Sequence, residues 1–242
     1  DDLFCLTDEL MAGLEPYFPK CQGKPLVDDR RVLNWIIVVN RTGVHRSTFG
    51  VQNAVHSVKA LDAKGVFLRM MAGLATSQAS EHKTVMIDAT YCKAHRTAAS
   101  LKIRDTGCLI DRTKGGMNTI LHAVTDAQGR PLSFFMSAGK FSDYIGAAVD
   151  ELLKANGCLR MVAMTLLFRD TYREKGITLC IPDRKSGNKV VKYDRRRYKR
   201  RKRIETMFGR IKWWRLVAIR YSQCSTAFIS AIALAATVIF WL

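Results

Sequence analysis

Residues 193–221, YDRRRYKRRKRIETMFGRIKWWRLVAIRY, decide how the rest of this chain is read. Past Asp194 the stretch holds one acid, Glu205, set among cations. Counted from Tyr198, Arg201 follows at +3, Glu205 at +7 and Lys212 at +14. At about 3.6 residues per turn, that spacing puts all four on nearly one face of a single helix. A second stripe, Ile204, Phe208, Ile211 and Arg215, recurs at i, i+4, i+7 and marks a packing face. The spacing therefore predicts a helix with a core side and a chemical side. On charge alone, Glu205 also reads as a surface acid pairing with Arg201 or Arg210, worth a few tenths of a kcal/mol.

The pattern Tyr-x2-Arg-x3-Glu-x6-Lys resembles the signature around the third carboxylate of DDE transposases from bacterial insertion sequences. The flanking words KYDRRRYKRR and RIETMFGRIK, and the ending FISAIALAATVIFWL, are similar to the branch called insertion sequence family five. The resemblance implies an enzyme that cleaves DNA at the ends of a mobile element and joins the freed 3′-hydroxyl to a target. It implies Mg2+ or Mn2+ as cofactor and double-stranded DNA, element ends and target, as partner. It also implies a nucleoid-associated protein of the bacterial cytoplasm, with a homodimer on DNA as one arrangement.

Composition bears on the partner independently. The chain has 242 residues, 48% of them apolar, and a formal charge of +18. Its length suits one domain, or one domain with a helical annex. Between residues 184 and 220 stand sixteen Lys or Arg against Asp194 and Glu205, so most of the charge lies in one segment. Such a segment suits a polyanion, because each cation that neutralises a phosphate releases counterions. Acidic lipid is the competing partner. The tail, residues 226–242, is uncharged but only 17 residues long, short of the ~20 that span a bilayer. With Ser230, Thr237 and several Ala it reads as a buried helix, and no membrane role is expected. Seven Cys (5, 21, 92, 108, 158, 180, 224) form no C-x-x-C pair and no signal-peptide pattern precedes them, which suits a reducing cytosol. The five His show no zinc-like spacing.

Taken in order, residues 1–75 read as a helical annex. LTDELMAGLEPYF carries Thr7 as N-cap, Asp8 and Glu9 in the first turn, and Leu10, Met11, Leu14 and Tyr17 as an apolar stripe. A second helix, residues 28–40, buries Val32, Leu33, Ile36 and Ile37 and stops near Gly43. In the family the annex helps hold element-end DNA; here it looks shortened, and a helical cap on the core is the alternative. From Lys83 the period changes, and KTVMIDAT reads as a short strand ending at Asp88. An Asp there is ordinarily a turn residue, but MIDATYCKAHR is similar to the words around the family's first metal-binding acid. GGMNTILHAVTD and RPLSFFMSAG then form a hairpin around residues 126–130, whose turn chemistry accounts for Asp126 without catalysis. Ser142 or Asp143 caps a further helix to about Asn156. The expected fold is α/β, a ribonuclease H-like mixed sheet flanked by helices over residues 81–242, with the helical N-terminal annex.

The resemblance assigns catalysis and metal ligation to Asp88 and Glu205. It assigns DNA contact to Tyr198, Arg201 and Lys212, beside the run Arg195, Arg196, Arg197, Lys199, Arg200, Lys202 and Arg203. Two-metal phosphoryl transfer needs several carboxylates around the ions, and the family's middle Asp belongs to an Asp-x-x-Tyr-Asp motif. At its place stands GCLRMVAMTLLFRDTYREKGI, with the slot near Arg160. An arginine cannot ligate a cation. Read two bases out of phase, Met164-Thr165 yields an Asp codon, and Met161 yields another if the preceding codon ends in G. That motif is thus recoverable in a shifted frame, and a short, reversed frameshift accounts for the loss. Asp170 and Asp183 are poor substitutes, since neither ends a strand beside Asp88. The copy is therefore expected to be inactive or nearly so. The alternatives are a non-catalytic DNA-binding remnant and a basic RNA-binding protein; the latter leaves the Tyr-Arg-Glu-Lys spacing unexplained.

Overall fold

The structure is a computed structural model that describes residues 5–19, 28–44, 61–62, 64–77, 84–99, 109–138, 160–162, 178–180 and 194–242, without the side chains of 160–162, 178, 179 and 197. The expected helix up to Asn156, and Asp170 and Asp183, lie outside these residues.

Among the described residues a mixed seven-stranded sheet forms the frame. Strand β1 (Val85–Ala94) runs antiparallel to β3 (Gly116–Thr125), from Met86 opposite Thr125 to Lys93 opposite Asn118. β3 also pairs antiparallel with β2 (Asp111–Thr113) and with β4 (Pro131–Ser137). Beside β1, β5 (Arg160–Val162) pairs in parallel with Val85 and Met86 and carries β6 (Thr178–Leu179) beyond it. β7 (Ile219–Arg220) pairs in parallel with Lys93 and Ala94 at the other end of β1. Val85, Met86, Ile87 and Asp88 are all buried, as suits a strand with neighbours on both edges and cover on both faces.

One correction follows for the acid. Asp88 does not end its strand; β1 continues for six residues past it, because β3 offers a pairing partner through Lys93. The apolar run that marked the strand in sequence ends at Asp88 only because later residues alternate between cover and solvent.

The predicted hairpin turn is present. The Asp126 carboxylate accepts from the backbone N–H of Gln128 and Arg130, at 2.9 and 2.8 Å, and pairs with the Arg130 guanidinium at 2.7 Å. Gly129 has φ +86, and a Cβ there would lie 2.9–3.2 Å from Arg203, partly against its backbone. Both the turn and its packing therefore require glycine.

Helices enclose the sheet. α1 (Asp8–Leu14) is capped by Thr7, whose side chain accepts from Leu10 N, and α2 (Asp29–Thr42) runs from the Asp28 cap to Gly43 at φ +70. α3 (Val66–Ser77) packs on β4, and on a C-terminal helix that occupies the uncharged tail. Buried residues of all three N-terminal helices belong to the same apolar cluster as Val85, Leu121 and Phe134 of the sheet.

The basic stretch corrects the single-helix expectation. It forms α4 (Arg195–Lys199), α5 (Lys202–Ile211) and α6 (Arg215–Ala218). At the first junction Arg201 N donates to Tyr198 O, Arg203 N to Arg200 O and Ile204 N to Arg201 O, a tight i→i+3 pattern that interrupts the α-helical ladder. Asp194, whose carboxylate accepts from Arg196 N at 2.9 Å, caps α4. Ile204, Phe208 and Ile211 are buried as the stripe predicts, and Met207 joins them. Arg215 is exposed instead; its stem lies over Gly43 and its charge stays in water. Arg220, counted in sequence with the phosphate-binding charge, is completely buried. Its guanidinium donates to Thr119 Oγ1 (2.7 Å), Ser222 O (2.9 Å) and Gln223 O (3.0 Å).

The tail forms α7 (Ser225–Phe240), whose stretch 232–237 is continuously buried. Among the described residues no helix is long and apolar enough to cross a membrane.

On β3, His122 is buried, stacked on Phe135 with ring centroids 4.7 Å apart and hydrogen-bonded to Ser137 Oγ at 2.7 Å. Burial lowers its pKa to about 4, below the ordinary 6.5. As pH falls from about 6.5 to 4, the unfolded chain takes up a proton that the folded chain refuses, so stability drops through that window. Chemical denaturation at several pH values is expected to show a loss of up to about 3 kcal/mol from this group. His122→Gln removes that part of the slope.

Candidate active site

The site is built where α5 crosses β1. Asp88 is buried, with a side chain 4% exposed. One carboxylate oxygen accepts from Ala89 N at 2.9 Å, and the other from Arg201 Nε at 3.1 Å. A second arm of the same guanidinium lies 3.3 Å from Glu205 Oε1, on a side chain 52% exposed. Its NH1 donates to the Tyr198 hydroxyl at 2.9 Å. Two acids separated by 117 residues of sequence thus meet on one cation.

Lys212, at the C-cap of α5, makes the second crossing. Its Nζ donates to Thr90 Oγ1 at 2.6 Å and to Tyr91 O at 3.0 Å. Positions 201 and 212 are about 16 Å apart along a helix, whereas positions 88 and 90 are about 7 Å apart along a strand. The two long cationic side chains therefore lean toward each other over β1.

Electrostatics follow from this geometry. Burial works against the charge of Arg201, but the Tyr198 hydroxyl and the Asp88 carboxylate outweigh it and raise its pKa above the ordinary value. Burial pushes the Cys92 thiol, on the same strand, up to about 11, against the smaller opposing pull of Lys212 and Arg220. Cys92 is thus an inert core residue.

The structure brings together Asp88, Tyr198, Arg201, Glu205 and Lys212. The remaining cations divide. Arg195, Arg196, Lys199, Arg200 and Lys202 are exposed around the α4–α5 junction. Arg203 is also exposed, but its NH1 donates to Ala127 O at 2.5 Å, which ties α5 to the hairpin turn. The Arg197 side chain lies outside the description. Arg160, the position where the sequence reading expects a middle acid, opens β5 on the strand next to β1; residues 163–170 lie outside the described residues. A cleft of about 410 Å3 opens elsewhere, lined by Asn40, Phe67, Tyr221 and Phe228 among others and by none of the site residues.

The sequence that carries this site matches a known class. Residues 164–242 match the transposase DDE domain model. Over 131 residues, covering 52% of this chain and 99% of the relative, the sequence is 32% identical to a Brucella ovis protein named "Putative transposase for insertion sequence element IS6501". The chain belongs to the DDE transposases of insertion sequences, a family whose activity implies DNA substrates and divalent metal ions.

The carboxylates of Asp88 and Glu205 are hard oxygen donors of the kind that Mg2+ and Mn2+ select. Among the described residues no group of three or more His, Cys, Asp or Glu converges on a metal-sized space. Both carboxylates are held by the Arg201 guanidinium, so a divalent ion placed there would share its ligands with that cation.

The two arms of Arg201 should differ in strength. Asp88 is buried and Glu205 is not, so the first pair is shielded from solvent and the second is screened. In urea denaturation, the Asp88→Asn/Arg201→Gln cycle is expected to show a coupling of about 1–3 kcal/mol. The Glu205→Gln/Arg201→Gln cycle should give under about 1 kcal/mol.

Proposed function

We propose that this chain is an insertion-sequence transposase of the family five branch that keeps two of three catalytic carboxylates and has lost most of its cleavage chemistry. The observation that carries the reading is the joint hold of Arg201 on Asp88 and Glu205, from β1 and α5. A basic protein that merely binds RNA has no need of that convergence. The mixed sheet, with β1 antiparallel to β3 and parallel to β5, supports a ribonuclease H-like catalytic domain over residues 81–242. Residues 1–75 serve as the annex for element-end DNA, and the helices described among them share the common core.

In this reading Asp88 and Glu205 hold Mg2+ or Mn2+, which when bound supplies positive charge to the attacking and leaving oxygens. Tyr198 and Arg201 position the scissile phosphodiester by hydrogen bonding and charge. Lys212, fixed on β1, contacts the flanking strand. Arg195, Arg196, Arg197, Lys199, Arg200, Lys202 and Arg203 grip duplex phosphates without reading sequence. A homodimer on the element ends, within the nucleoid, completes the assignment.

The middle acid is missing from the sequence, and removing a ligand of a charge-stabilising cluster takes most of the rate with it. A plasmid bearing the element ends, incubated with Mg2+ or Mn2+, is expected to show no more nicking than with Glu205→Ala. Metal-dependent nicking that this variant loses would contradict the assigned inactivity. The cause of the loss is read from the gene: bases across codons 157–168 should encode Asp-x-x-Tyr-Asp in a shifted frame, and no such frame would leave plain substitution.

A further inference from the structure

The chain has four tryptophans, and three are in the core: Trp35, Trp214 and Trp241 are 9, 5 and 5% exposed. Trp213 is 86% exposed. An indole is among the largest apolar surfaces a side chain can bury, so one left in water beside a buried neighbour calls for a reason. The backbone there is held in place: Trp213 N donates to Arg210 O at 3.2 Å and Trp214 N to Ile211 O at 3.1 Å. The turn sends Trp214 inward and Trp213 outward.

Its surroundings narrow the ligand. The preceding residue, Lys212, is anchored on Thr90 and Tyr91 of β1, two and three residues beyond Asp88. Arg210 and Arg215, both exposed, flank the turn in sequence, Arg210 with one arm on Ile239 O and its guanidinium over the Phe240 ring, and Tyr91 is itself 57% exposed. A flat π surface between cations is what a single nucleic-acid strand meets on its binding proteins: phosphates go to the cations and a base goes to the ring. A base inside a duplex already has both faces stacked, so the matching ligand is an unpaired base.

We propose that Trp213 is a stacking platform for an unpaired base of a DNA strand whose phosphodiester lies at the Asp88–Arg201–Glu205 cluster. The inference rests on the transposase reading and adds a strand-end site to it. The ring holds an end that has left the duplex, while Lys212 and the exposed arginines hold its backbone.

The test uses the full chain and two labelled DNAs of equal length, one fully paired and one with a short thymidine overhang. Trp213→Ala is expected to weaken overhang binding by about 5- to 150-fold and to leave duplex binding unchanged, with Trp213→Phe recovering part of the loss. Because the other indoles are buried, the quenchable part of the tryptophan emission reports on Trp213; the overhang should quench it, and the Ala variant should lack that signal. Equal loss on both DNAs, or no loss, overturns the proposal while leaving the transposase reading intact. Tighter binding of a single-stranded RNA of the same sequence also overturns it. So does a change of oligomeric state in Trp213→Ala with DNA affinity unchanged, which would make the ring a contact between copies. Failure to bind either DNA overturns both readings together.

Discussion

The Arg201 guanidinium takes a buried carboxylate on one arm, an exposed carboxylate on another and a tyrosine hydroxyl on a third. Two carboxylates brought near each other repel, and a guanidinium held between them offsets that repulsion. Under the proposed metal site, the same contact that orders the acids would compete with a divalent ion for them.

The rest of the structure serves that contact by fixing α5 on β1. Lys212 fastens the far end of the helix to Thr90 and Tyr91, and Arg203 fastens the near end to the hairpin turn, where Gly129 leaves room for its backbone. Ile204, Met207, Phe208 and Ile211 supply the apolar underside. Arg220, sunk beneath the end of β1 and hydrogen-bonded to Thr119, Ser222 and Gln223, closes the sheet where the basic segment rejoins it. A segment rich in charge is thus partly an interior element: its cations face the acids, the main chain and solvent in turn.

Much of this was legible in the sequence. Thr7 and Asp28 announced helix starts, Gly43 a stop, and the Asp126–Gly129 turn a hairpin, because caps and turns depend on local chemistry. The Tyr-Arg-Glu-Lys spacing picked out the side chains that converge. What escaped was tertiary. Periodicity carried a single helix through residues 200–201, but the junction tightens so that Arg201 reaches both Tyr198 and Asp88. The length of β1 depended on β3, 31 residues further on from start to start, and nothing local to Asp88 signals it. No sequence pattern separates the buried Arg220 from its exposed neighbours, since its burial comes from Thr119 and from the turn that follows it. Strands as short as β2 and β7 carry too few residues to show alternation.

The central claim is that Asp88 and Glu205 belong to one metal-binding site that Arg201 shares. Calorimetric titration of the protein with Mn2+ tests it without recourse to catalysis. The account predicts one ion per chain, binding lost in both Asp88→Asn and Glu205→Gln, and tighter binding in Arg201→Met. Mn2+ binding that survives either carboxylate substitution, or that weakens when Arg201 is removed, would contradict it.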